Sequence, residues 1–144
     1  MTPDEARRRF AAGTVARLAT ADADGRPHLV PLVFAVDGDA VYSAVDHKPK
    51  RTAALRRLAN VRANPAVSLL VDHYDDDDWD RLWWVRADGH GTVLDGDDPV
   101  ARRAVALLQA RYRAYAERPP GGPVLAVQVT SWTGWAADSG PDRR

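Results

Sequence analysis

The pattern of apolar and polar positions predicts a chain made mainly of strands. Strand-like segments come first at 14–21, 27–36 and 40–45. The hairpin turn signals Asp24-Gly25 and Asp37-Gly38-Asp39 separate them. Three strands joined by two tight turns are typical of an antiparallel meander, which we expect here.

Helical patterns alternate with the strands, at 2–12, 51–63 and 97–115. Thr2 and Glu5 have the spacing of a capping box, so the first helix is predicted to begin at this end. In the second helix, Leu55 and Leu58 belong to a short apolar stripe predicted to face the core. Asn60 lies off this stripe and is expected on the solvated side.

Further strands are predicted at 66–74, 81–94 and 124–131, with 132–136 either extending the last strand or forming a seventh. Gly89 and Gly91 indicate a bend or bulge in the long strand. Pro31 places the second strand at a sheet edge or a bulge, because proline cannot donate to the ladder. We therefore predict a mainly β, α+β fold: an antiparallel sheet of six to seven strands that curls into a barrel, with helices as covers. One domain is expected over 1–137, followed by a frayed tail at 138–144.

Composition excludes several classes of protein. The 144 residues are typical of one domain, and the net charge of zero with a pI near 6.9 argues against nucleic-acid binding. The absence of cysteine excludes disulfides, thiol catalysis and thiolate metal sites. With no signal-peptide pattern and no apolar run long enough to span a bilayer, we expect a cytoplasmic protein without membrane contact.

The most distinctive polar stretch is basic and lies directly before the second helix. Both lysines of the chain, Lys48 and Lys50, fall here, and Arg51 and Thr52 follow. Cations and free backbone N–H groups at a helix start suit a phosphate or carboxylate, so we predict an anion clamp. A ligand held there would lie along the preceding strand, 40–45. The alternative is a solvated basic loop.

Tryptophans are concentrated after residue 78. Because alternate strand residues share a face, Trp84 and Arg86 should point one way, and Trp83 and Val85 the other. An indole beside a guanidinium suits a flat anionic ring system. The alternative is that one tryptophan fills the core and another a subunit interface.

No other constellation indicates chemistry by the protein itself. The aspartates of 72–80 lack the spacing of a calcium loop, so we predict a solvated acidic loop and no metal site. No nucleophile or phosphate-loop motif is present, and no catalytic residue is predicted. If the chain is an enzyme, the chemistry belongs to a cofactor.

The order and spacing of several short segments resemble a known superfamily, the split β-barrel flavin/deazaflavin oxidoreductases, which include pyridoxamine-phosphate oxidase-like proteins. The segments are RLAT at 17–20, DGRPH at 24–28, PLVF at 31–34, KPKR at 48–51, NPAVSLLVD at 64–72 and WVRADG at 84–89. The resemblance covers about residues 8–135, and within the superfamily the chain is most similar to the coenzyme F-420-dependent class. No equivalent of the pyridoxal-phosphate-binding residues is visible, which disfavours pyridoxamine phosphate as substrate.

The resemblance implies an FMN-binding-like split barrel that forms a homodimer with cofactor sites at the subunit interface. Contacts to the cofactor phosphate would come from Lys48, Lys50, Arg51 and Thr52. Contacts to the ring or its ribityl-type chain would come from Val33, Ser43, Ala44 and Val45. Further contacts, some from the second subunit, would come from Trp79, Trp83, Trp84 and Arg86.

The function implied is oxidoreduction with coenzyme F-420, a deazaflavin whose reduced C5 gives a hydride to an electron-poor C=C or C=N bond of a small organic substrate. One alternative is an FMN-dependent oxidase or reductase of the same fold. Another is a non-catalytic protein that binds a flavin, deazaflavin or tetrapyrrole.

Overall fold

The computed structural model describes residues 1–45 and 51–137, with the backbone alone for 51–54. Most of the predicted clamp, 46–50, and the predicted tail, 138–144, lie outside these residues. The helices are α1 (Pro3–Ala12), α2 (Arg51–Ala63), α3 (Pro99–Arg111) and α4 (Arg113–Glu117). The strands are β1 (Ala16–Ala21), β2 (Pro27–Leu32), β3 (Ala35–Asp37), β4 (Ala40–Ala44), β5 (Ala66–His73), β6 (Trp83–Leu94) and β7 (Val124–Ala136).

All seven strands form one antiparallel sheet in the order β2-β1-β5-β6-β7-β4-β3. The predicted α+β class and antiparallel sheet are confirmed. Within the described residues, no helix combines the length and the apolar character needed to cross a membrane.

The two edges of the sheet, β2 and β3, are consecutive in the chain and joined only by Val33 and Phe34. In a flat sheet of seven strands the edges would be roughly 29 Å apart. The three peptide steps from Leu32 to Ala35 span at most about 11 Å. The sheet must therefore curl until its edges approach each other, which gives an open barrel.

This crossover corrects two predictions. The predicted strand 27–36 is two strands, because the chain leaves one sheet edge at Val33 and joins the other at Ala35. The predicted meander is wrong, since the β1–β2 and β3–β4 hairpins lie at opposite ends of the sheet with β5, β6 and β7 between them. The edge position inferred from Pro31 is confirmed, as β2 is an edge strand.

Arg111 and Tyr112, at the end of α3, hold this crossover, and we call the pair the α3 clasp. The Tyr112 hydroxyl accepts a hydrogen bond from the Phe34 N–H at 3.1 Å. It also lies 2.9 Å from two carbonyl oxygens, those of Phe34 and Thr14, and donates its one proton to one of them. Arg111 donates to the Phe34 carbonyl at 2.9 Å and to the Gly13 carbonyl. These side chains thus supply the hydrogen bonds that the Phe34 backbone does not make to a neighbouring strand.

The core fills the barrel and extends beneath α1. Phe10 and Phe34 are fully buried, with ring centroids 4.9 Å apart, so α1 closes onto the crossover. The predicted start of α1 is confirmed, because the Thr2 hydroxyl accepts from the Glu5 N–H at 3.2 Å.

The buried face of α2 differs from the predicted stripe. Leu58 and Val61 are buried, but Leu55 is 58% exposed. Asn60, expected in solvent, is 5% exposed and donates to the buried Thr20 hydroxyl of β1 at 3.1 Å. The prediction failed because apolar periodicity cannot register a buried polar pair whose partner is on another element.

Three predicted boundaries also change. The predicted strand 81–94 begins at Trp83, after a 3₁₀ turn over Trp79–Arg81. The predicted helix 97–115 breaks at Tyr112, whose backbone is extended. Residues 132–136 extend β7 rather than forming a separate strand.

The bulge predicted from glycine is present where β6 shifts register against β7, between Asp88 and Gly89. A methyl group on Gly89 would overlap the backbone carbonyl of Gln128. The neighbouring backbone therefore approaches too closely here for any larger residue.

Candidate functional site

The crossover and the end of β4 form a buried ribbon directly before the predicted clamp. The Ser43 hydroxyl donates to the Val33 carbonyl at 2.9 Å. Ser43, Ala44 and Val45 are buried, and the Val45 N–H donates to the Pro123 carbonyl at 3.0 Å. The structure thus brings together the four residues predicted to contact the cofactor ring or its chain, although none of these contacts tests the role itself.

The predicted phosphate contacts follow this ribbon in the sequence. Lys48 and Lys50 lie outside the described residues. Arg51 and Thr52 are the first residues of α2, as the sequence predicts, and their side chains are not described. The first turn of α2 contains no acidic residue, so none of its own carboxylates competes for its free N–H groups.

Trp84 and Arg86 project together from the outer side of the sheet, as predicted. The Arg86 guanidinium lies 6.0 Å from the Trp84 ring centroid. They line a shallow cavity of about 600 Å³, together with Leu29, Leu70 and Arg17. We call this surface the outer face; its members are Arg17, Leu29, Leu70, Asp72, Trp84 and Arg86.

Beside the outer face, Asp88 accepts from Ser68 at 2.5 Å and from the Arg86 Nε at 2.9 Å. Burial alone would raise the pKa of Asp88. These two hydrogen bonds and the Arg86 charge outweigh burial, so the pKa is lowered and the carboxylate stays ionised.

Trp83 lies on the other side of β6, with its ring next to side chains of α1 and β5. The Arg9 guanidinium of α1 is 5.5 Å from its centroid, and the His73 ring stacks on it at 6.2 Å. Trp79 is 67% exposed, in the 3₁₀ turn before β6. Trp83 and Trp84 therefore do not share one surface of a single chain.

The strand ladders show how far apart the predicted groups are. Ala44 pairs with Val124, which pairs with Leu94 at the end of β6. Trp83 and Trp84 begin this 12-residue strand, roughly 35 Å away along it. Around the other side of the sheet the path is shorter, because Arg86 pairs with Leu70, Leu70 with Arg17, and Arg17 with Pro31, two residues before Val33. This path crosses three strand spacings, roughly 14 Å.

Sequence reasoning missed the side chains around Trp83 and the α3 clasp. Arg9 reaches Trp83 only because α1 packs on β6 and β7. Tyr112 bonds to Phe34 across 78 residues of chain. No local pattern signals such contacts. Among the described residues, no group of three or more His, Cys, Asp or Glu side chains is placed to hold a metal ion.

A family model described as pyridoxamine 5'-phosphate oxidase matches residues 2–136. The chain belongs to this family. Its structure is similar to that of an FAD-binding protein from Mesorhizobium loti, with a TM-score of 0.69, 23% identity, and coverage of 93% of this chain and 94% of that one. No curated protein matches the sequence.

Two further similar structures are those of heme proteins. HutZ, the heme storage protein from Vibrio cholerae, gives a TM-score of 0.71 at 16% identity and covers 94% of this chain and 95% of that one. A heme binding protein from Mycobacterium smegmatis gives 0.69 at 18% identity, covering 94% of this chain and 58% of that one. These likenesses establish the fold, the split β-barrel of pyridoxamine oxidase-like proteins, and confirm that part of the resemblance.

Proposed function

We propose that this protein binds coenzyme F-420 and acts as an oxidoreductase on a small organic substrate. The observation that carries the proposal is the ribbon of half-buried Val33 and buried Ser43, which leads in the sequence directly into the basic segment at the start of α2. FMN, used by an oxidase or reductase of the same fold, is the alternative cofactor.

The residues present fit the phosphate and carboxylates of such a cofactor. The first turn of α2 offers free N–H groups and has no acidic residue, while Lys48, Lys50 and Arg51 add three positive charges. Charge-assisted hydrogen bonds to an anion are about twice as strong as neutral ones. These residues, with Thr52, would hold the anionic end.

Reduced F-420, when bound, supplies a hydride to an electron-poor C=C or C=N bond. The protein's contribution is to orient and to exclude water. The Ser43 hydroxyl already donates to the Val33 carbonyl, so the ribbon presents a wall whose polar groups are satisfied. We identify no side chain as the proton donor, and solvent would protonate the product.

Trp84 and Arg86 project from the outer side of the sheet, and we propose that they contact the cofactor held by a second copy. The outer face suits such a copy. Leu29 is 68% exposed and Leu70 36% exposed. Both charge signs are present, with Arg17 3.8 Å from Asp72, so a two-fold dimer through this face could pair opposite charges across the interface.

The cofactor proposal is tested by titrating the purified protein with F-420 and with FMN. We expect micromolar F-420 binding. The K50A/R51A variant should bind more weakly by about 1.5–3 kcal/mol per lost charged hydrogen bond. Arg56→Ala, an exposed arginine further along the same helix, is the matched control and should change little. Binding of neither cofactor would end the proposal, and equal effects of the two variants would show that the clamp is wrongly assigned.

Tight FMN binding in a protein that is yellow when purified would favour the FMN alternative instead. A non-catalytic role, as a flavin, deazaflavin or tetrapyrrole binder, is supported by the likeness to two heme proteins. Tight binding without oxidation of reduced coenzyme by a broad acceptor panel would favour that role. A heme titration followed by absorbance completes the comparison.

The homodimer is tested by analytical ultracentrifugation of Leu29→Asp. Introducing a charge on the outer face should give monomers and weaken cofactor binding. Val100→Asp, at a valine 45% exposed on α3, is the matched control and should remain dimeric. A dimeric Leu29→Asp protein would contradict the assignment of this face.

A further inference from the structure

A second cavity, of about 410 Å³, opens where β6 begins, at the opposite end of this strand from the β4 ribbon. We call it the Trp83 cavity. Its walls come from three parts of the chain: Arg9 of α1, His73 at the end of β5, and the segment Arg81-Leu82-Trp83. The volume lies within the range of small-molecule sites.

Arg9 lines this cavity and is itself exposed, so its hydrogen-bond donors are accessible. Its guanidinium lies over the Trp83 indole, 5.5 Å from the ring centroid. A guanidinium beside an aromatic ring can still donate its in-plane N–H groups to a carboxylate in a bidentate pair. None of the ion pairs among the described residues involves Arg9.

The platform beneath Arg9 is itself supported. The His73 ring stacks on Trp83 at 6.2 Å with an interplanar angle of 22°. Trp83 is half-buried and packs against the core, so the indole has little freedom. A stacked arginine on a fixed ring loses less side-chain entropy on binding than a free one.

The remaining walls indicate what kind of anion fits. Arg81 adds a second positive charge, with Asp75 3.6 Å away at the surface. Leu82 and Ala136 add apolar surface, and Asp80 is a single negative charge. The Trp83 ring and Leu82, in a volume larger than an inorganic ion fills, favour an organic anion with a flat apolar body.

We propose that the Trp83 cavity binds a small aromatic carboxylate, with Arg9 receiving the carboxylate and the apolar walls receiving the ring. This inference does not depend on the cofactor proposal, since Arg9, His73 and Leu82 are not among the predicted cofactor contacts. Trp83 is the one residue that the two proposals share.

The test is a titration with benzoate, followed by ¹H–¹⁵N NMR, with the indole N–H signal of Trp83 assigned from W83F. We expect this signal to shift and saturate with benzoate and not with the neutral isostere benzamide. Arg9→Ala should weaken benzoate binding by roughly tenfold or more, as expected on loss of a charge-assisted pair. Arg8→Ala, its exposed neighbour on α1, should bind as the wild type does.

Equal shifts with benzamide, equal affinities of the two arginine variants, or an unmoved Trp83 signal would each overturn the proposal. Thermal unfolding of both variants establishes that each is folded. The K50A/R51A variant should bind benzoate normally, so a failure here and a failure of the cofactor proposal are separate results.

Discussion

Replacing Tyr112 by phenylalanine removes one oxygen atom from the α3 clasp and leaves the ring in place. That oxygen accepts from the Phe34 N–H at 3.1 Å and lies 2.9 Å from the Thr14 carbonyl. Phe34 is fully buried, so water cannot replace the lost partner of its N–H. The Phe34 carbonyl keeps its bond from Arg111, and the exposed Thr14 can turn to solvent.

The expected cost is therefore that of one buried backbone donor without a partner, about 1–3 kcal/mol of unfolding free energy. Near the middle of this range, the melting temperature of a chain of 144 residues should fall by about 6 °C. In urea, the midpoint should fall while the slope stays unchanged, because the surface exposed on unfolding is the same.

Tyr74→Phe is the matched control. Tyr74 is 60% exposed, and its hydroxyl bonds to Asp76 at the surface. We expect its unfolding free energy to change by no more than about 0.5 kcal/mol. If Tyr112→Phe costs no more than this control, the crossover does not depend on the clasp, and the argument fails.

Three further predictions concern the sheet and α2. Because the pKa of Asp88 is lowered in the folded state, its carboxylate stabilises the fold above the unfolded pKa, near pH 4, and this contribution is lost as pH falls further. On acidification below about pH 4, the unfolding free energy of Asp88→Asn should therefore fall less than that of the wild type, as measured by urea unfolding at several pH values. An equal fall in the two proteins would contradict this. Gly89→Ala should lower the melting temperature sharply, since its methyl group meets backbone, whereas Gly96→Ala, with its nearest such contact at 3.5 Å, should not. Asn60→Leu should lower the unfolding free energy by about 1–3 kcal/mol, because it leaves the Thr20 hydroxyl without a partner. Adding Thr20→Val should recover part of this loss. If the effects of the two substitutions simply add in the double-mutant cycle, the two side chains are not coupled.

Local periodicity is enough to predict much of this fold. Alternation along 66–74 and 124–131 identifies β5 and most of β7, and the two Asp-Gly turns identify the hairpins. Trp84 and Arg86 share a face because strand geometry alone requires it. Such features depend only on neighbours in the sequence.

Other features depend on contacts that no local pattern encodes. The run from Leu32 to Ala35 is apolar throughout, so nothing marks the break between β2 and β3. The burial of Asn60 depends on Thr20, 40 residues away. In the candidate site, the end of β4 follows from adjacency in the sequence, but the position of Trp84 relative to it follows only from the order and register of the strands.

The strand order has a consequence for synthesis on the ribosome. The β1–β2 and β3–β4 hairpins emerge before the other strands, but the two hairpins do not pair with each other in the sheet. β1 cannot complete its pairing until β5 has been synthesised, and β4 cannot complete its pairing until β7, the last strand, has been synthesised. Until then, a nascent chain carries two hairpins with unpaired edges, the surfaces most prone to aggregate. Such a chain should depend on chaperones during translation, and truncation before 124 should give insoluble protein rather than a smaller folded domain.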